Sequence, residues 1–186
     1  MRNVSPSSAL VVGFSALALT VGGATWATAQ QGNPSENGRP GQERWLLVNA
    51  NGEIEAQSGG FTVAAAYPTL ANTSTTGDNS LRAAGNVYID AGESLGDNGI
   101  VATIALQNQL DQNGDAITNG RAAGPDANPE FSGEISATVC GLAGVVACAP
   151  GGTNNDRHFV VSPRNSDGSV TQAGARKRFY IVVTSD

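Results

Sequence analysis

The sequence predicts an all-β chain: an antiparallel β-sandwich of jelly-roll or Greek-key type, about eight strands long, behind an N-terminal signal peptide. Three observations lead there. Short runs alternate apolar and polar side chains, the period of a half-buried strand. Turn residues bound those runs at regular intervals. The 24 Gly and 8 Pro interrupt the chain too often for long helical periods.

Residues 1–29 read as the export signal. Arg2 gives a positive start, and Ala9 to Val21 is an uncharged apolar run. Ala27-Thr28-Ala29 fits an A-x-A cleavage site, with Ala29 and Gln30 flanking the cut. The alternative is an uncleaved membrane anchor, because the uncharged stretch from Ala9 to Ala29 approaches the roughly 20 residues that span a bilayer. Membrane contact is expected only through such an uncleaved N-terminus. Residues 30–43 carry Gly and Pro without apolar period and read as a flexible linker to a sandwich domain at 44–186.

The strands follow in order. Arg44–Asn49 leads through Asn51-Gly52 into Glu53–Gln57, and an Asn-Gly between such runs marks a hairpin because both residues tolerate positive φ. Phe61–Ala65, Asn86–Asp90 and Ile100–Leu106 alternate in the same way. Ile135, Ala137 and Val139 share a face just before Cys140. His158–Ser162 and Lys177–Thr184 close the series. The segment Phe179–Val183 (FYIVV) is apolar on both faces, which suits an interior strand. Ser166-Asp167-Gly168 between the last two runs reads as a long hairpin loop. The hydrophobic fraction of 40% includes much Ala with only 5% aromatics, so a thin core of small side chains is expected.

Cys140 and Cys148 are the only cysteines, and export favours a disulfide between them. Their spacing matches neither a zinc site nor a C-x-x-C redox pair.

One segment carries ligand-like chemistry. Asp111, Asn113, Asp115 and Asn119 repeat oxygen side chains at the D-x-N-x-D spacing that converges on Ca2+, and Asp126 and Glu130 follow. Ala116 and Ala122 stand where a calcium loop wants Gly and Glu. A polar turn between strands is the alternative. No other cofactor is indicated.

Catalytic patterns are sparse. His158 is the sole histidine, so any nucleophile–His–acid triad must use it, yet no G-x-S-x-G occurs. Glu53 and Glu55 lie two apart, and Glu130 and Glu134 four apart, as carboxylate pairs that also suit a solvated face. Arg176-Lys177-Arg178 is the one positive cluster, read either as a contact for an anionic envelope polymer or as a charged guard beside a strand.

Ten basic against 16 acidic residues argue against nucleic acid as a partner. The expectation is a secreted or cell-surface protein, non-catalytic, acting in the envelope or matrix through binding or assembly. Its partners would be an envelope polymer, a glycan or further copies of itself. A ligand- or glycan-binding module with a Ca2+ loop, and a secreted hydrolase, are the other two readings.

Overall fold

A computed structural model describes residues 43–105, 132–143 and 148–184. The expected signal segment with its Ala29–Gln30 junction, the expected linker and the segment holding Asp111, Asn113, Asp115 and Asn119 lie outside the described residues.

The chain is all-β, with strands β1 (Arg44–Val48), β2 (Ile54–Ser58), β3 (Thr62–Ala66), β4 (Val87–Asp90), β5 (Ile100–Ile104), β6 (Glu134–Val139), β7 (His158–Arg164) and β8 (Phe179–Val183). The only helical element described is a short 3-10 turn at Ser80–Ala83. Two antiparallel four-stranded sheets form: sheet A in the order β2-β1-β8-β5, and sheet B in the order β3-β4-β7-β6.

Each expected run becomes a strand, shifted by a residue or two at its ends. The Asn51-Gly52 turn joins β1 to β2 as expected. Asn49 organises it: its side-chain Oδ1 accepts from the N–H groups of Asn51 and Glu53, both at 2.9 Å. Gly52 sits at φ +82°, and an added Cβ would lie 2.5 Å from the Cβ of Ala66. Only glycine fits both demands.

Strand β8 is interior to sheet A, paired with β1 on one side and β5 on the other. Its alternate residues Phe179, Ile181 and Val183 point into one core with Leu46 and Val48 of β1. Val87 and Ile89 of β4, Phe159 and Val161 of β7, and Phe61 complete it from sheet B. The two sheets therefore share a hydrophobic interior in a sandwich-like arrangement. Phe61 and Phe159 meet edge to face at 6.1 Å between centroids. Burying each such side chain contributes roughly 1.5–3 kcal/mol.

This core corrects the expectation of small side chains. Phe61, Phe159 and Phe179 are fully buried in it, while Ala64 of β3 is exposed and Ala56 of β2 is half-buried. Alanine gains little on burial, so the large side chains take the centre.

The outer face of sheet B carries a second apolar cluster. Tyr88 and Val160, register partners in β4 and β7, pack with Ala83, Cys140 and Cys148. Leu70 and Ala83 of the 67–86 connection and the two cysteines thus cover Tyr88 and Val160. Cys140 and Cys148 are bonded, with Cα atoms 5.6 Å apart.

The connection from β7 to β8 departs from the expected hairpin. Asn165 and Gly168 do close a tight turn, Gly168 N donating to Asn165 O at 2.9 Å. The chain then crosses to the other sheet, because β7 belongs to sheet B and β8 to sheet A.

Candidate functional site

Two regions concentrate polar or aromatic side chains, and they differ in what they leave available.

The first lies at the β4–β7 end of sheet B. Asp90 and His158 are cross-strand partners there. Arg157 grips the Asp90 carboxylate through Nη2 at 2.7 Å and Nε at 3.3 Å, and Gly92 N donates to it at 2.7 Å. His158 Nε2 stands 3.9 Å from the same carboxylate, and its Nδ1 meets Asn155 Oδ1 at 2.7 Å. Partial burial pushes the Asp90 carboxyl up. The hydrogen bonds from Arg157 and Gly92, with the charges of Arg157 and His158, outweigh it and hold the group below its ordinary value. Nearby, Ser94 Oγ donates to Asp156 Oδ2 at 2.6 Å, so that hydroxyl is directed at a carboxylate and not at the imidazole. Both sulfurs are in the disulfide. The cluster ties two strand ends together, and its carboxylate is already saturated with donors.

The carboxylate pair of the first hairpin is split between partners. Asn49 Nδ2 donates to Glu53 at 2.9 Å, whereas Glu55 pairs with Arg178. A bulge in the β1–β2 register at Leu47/Val48 leaves Glu55 without an opposite residue. Glu130 lies outside the described residues, and Glu134 is exposed at the start of β6.

The basic cluster turns inward, contrary to both readings of it as a charged surface. Lys177 is fully buried and Arg178 nearly so. Arg176 lies 3.9 Å from the centroid of the Tyr67 ring. Gly133 has φ +124° and leaves room for the Lys177 stem, since a Cβ there would come within 2.9 Å of its Cε. The reason is the interior place of β8: residues leading into it are enclosed by neighbours on both sides. Tyr67 itself is held at φ +50°, and burial raises its phenol to about 12 against a smaller opposing pull from Arg176.

The second region is the outer face of sheet A. Trp45 and Leu47 of β1 and Tyr180 and Val182 of β8 point away from the core, by alternation with Leu46, Val48, Ile181 and Val183. Trp45 stacks on Tyr180 with centroids 5.6 Å apart and planes 21° from parallel. Val101 and Thr103 of β5 extend the same rows, opposite Val182 and Tyr180. Val101 is 59% exposed. Ser58 and Ala56 extend the rows on the other side, opposite Trp45 and Leu47. The strand residues of these rows carry no charge. This face is apolar at its centre, where Leu47 is buried and Trp45, Tyr180 and Val182 are half-buried, and it carries hydroxyls at Ser58 and Thr103.

Sequence reasoning located each strand of this face but not the face itself. The signal was available in the alternation of Trp45 with Leu46 and of Tyr180 with Ile181. What alternation lacks is register, which alone brings Trp45 beside Tyr180.

No family model matches this sequence, and comparison with curated proteins and with solved structures finds no match either.

Proposed function

We propose that this chain is a non-catalytic, exported cell-envelope or surface protein that binds a neutral glycan of its surroundings through the outer face of sheet A. The observation that carries the reading is the contrast between the two outer faces. On sheet B's, Tyr88 and Val160 are buried against Ala83, Leu70 and the Cys140–Cys148 bond. Sheet A's keeps an aromatic stack and an exposed valine. An aromatic stack with hydroxyls beside it suits ligands that are apolar on one face and polar at their edges, as sugar rings are. The strand residues of this face's central rows carry no charge, which favours a neutral polymer over an anionic one.

Export is part of this reading. It rests on the signal-like residues 1–29 with cleavage between Ala29 and Gln30, and the disulfide is compatible with an oxidising compartment. A Greek-key description of the sandwich is likewise ours: β7 returns beside β4 and β8 beside β5, each three strands on. Ca2+ at Asp111, Asn113, Asp115 and Asn119 would stiffen a loop rather than do chemistry.

The test is co-sedimentation with insoluble polymer from the host envelope. The chain should be retained, and Tyr180→Ala should release it while leaving the fold intact. Equal retention of both would remove the face from the account.

A further inference from the structure

We infer that Glu55 is where the outer face of sheet A reads the polar edge of its ligand: held by Arg178 beside Tyr180, its carboxylate accepts from two adjacent hydroxyls of a neutral sugar ring. The inference rests on the proposed glycan-binding face and names the chemistry that this face selects.

The Glu55–Arg178 pair lies on that face. β1 separates β2 from β8, so side chains of those two strands meet only by crossing β1 on one side of the sheet. Ala105 N donates to Arg178 O at 2.9 Å, which carries the β5–β8 ladder one residue beyond the strand. Alternation therefore continues to Arg178, which shares the outward side with Tyr180 and Val182 while Phe179 fills the core. Two residues along a strand put Arg178 about 7 Å from Tyr180. From there its Nη2 reaches across β1 to Glu55 Oε2.

The bulge in β2 aims the carboxylate. Ala56 pairs with Leu47 and Ile54 with Val48, which leaves Glu55 as the extra residue. In an unbroken strand the neighbour of an outward Ala56 would point inward, among the core side chains. The bulge turns Glu55 to the side of Ala56 instead, where it meets Arg178.

The two members of the pair differ in access. The Arg178 side chain is 9% exposed and that of Glu55 31%. The guanidinium is enclosed, and the carboxylate is the member a ligand can touch. Its Oε2 is taken by Arg178, whereas Oε1 has no partner among the described residues. A carboxylate oxygen offers lone pairs and no proton, so it selects a donor. An anionic ligand would meet that oxygen as a like charge. A neutral ring stacked at Tyr180 presents O–H groups at its edge, and two adjacent hydroxyls match the two lone pairs of Oε1.

The experiment is calorimetric titration of the protein with soluble fragments of the host's envelope glycan, native and O-methylated. Methylation keeps the rings and removes the hydroxyl donors. The parent should bind the methylated fragments at least about tenfold more weakly, as for lost hydrogen bonds to a charged group. Glu55→Gln keeps an oxygen for Arg178 and turns an amide donor towards the ligand. It should weaken binding of the native fragments by a similar factor and leave binding of the methylated ones unchanged. A substitution that merely loosened the fold would weaken both. Equal affinity of the parent for the two fragment sets, or a Glu55→Gln chain that binds native fragments as the parent does or loses both sets equally, would overturn the inference. Tyr180→Ala separates this result from the reading beneath it. If Tyr180→Ala alone weakens binding, the aromatic face stands without Glu55. If it changes nothing, the face falls and the inference falls with it.

Discussion

Trp45 and Tyr180 sit diagonally on adjacent strands and stack at 5.6 Å, although neither is the other's register partner. The pair exists because β8 lies inside sheet A beside β1. That placement brings the last strand of the chain against the first and joins two aromatic residues separated by most of the sequence. Both rings are half-buried and lie on the face of sheet A away from the core.

Arg44 anchors the start of β1 from within. Its Nη1 donates to the carbonyls of Ala91 at 2.9 Å and Gly59 at 3.2 Å, its Nη2 meets Glu93 at 2.6 Å, and its guanidinium lies over Phe61. Arg44→Ala leaves those carbonyls short of a donor and should destabilise by about 2–4 kcal/mol in denaturant unfolding. Glu93→Gln removes only a solvent-exposed partner and should cost less than about 1 kcal/mol.

Gly52→Ala meets both a left-handed backbone and the side chain of Ala66. We expect a loss of about 1–3 kcal/mol, seen as a lower urea midpoint with unchanged slope.

Two pH limits follow from the shifted groups. Asp90 titrates below its ordinary value, so its contribution is complete above the unfolded carboxyl value of about 4 and fades as pH falls through the folded one. Asp90→Asn should flatten the acid limb of a stability–pH curve. Tyr67 titrates high, so its contribution is complete below about pH 10 and is lost as pH rises towards about 12. Phenolate absorbance should show a step near pH 12, and Tyr67→Phe should remove it.

The disulfide closes a short loop under a buried cluster. Replacing both Cys140 and Cys148 by Ala should destabilise by about 2–3 kcal/mol on the chain-entropy argument. Because Cys140 is fully buried, mild reductant should leave the bond intact until the chain unfolds.

The strands were legible because their signal is local. Phe179–Val183 could be placed inside a sheet from its own residues, since apolar side chains on both faces need cover on both. The Asn51-Gly52 hairpin was legible from its turn chemistry alone. What stayed hidden depends on contacts far apart in sequence. The crossing from β7 to β8 looked like a hairpin because the Asn165–Ser169 turn does form; only the sheet to which β8 belongs decides otherwise. The charges of Arg176, Lys177 and Arg178 looked exposed because single residues do not reveal Tyr67, Gly133 and Glu55 as their neighbours. Asp90 facing His158, and Trp45 facing Tyr180, need register, and register is set by the assembled core.

Binding of a neutral glycan to the outer face of sheet A, as proposed, should be visible in Trp45 fluorescence. From Gln30 onward Trp45 is the sole tryptophan. Titration with soluble fragments of the host's envelope glycan should shift its emission saturably, and Tyr180→Ala should abolish the shift in a chain that still melts cooperatively. An unchanged spectrum with fragments that hold the chain on the polymer would place binding elsewhere and contradict the account.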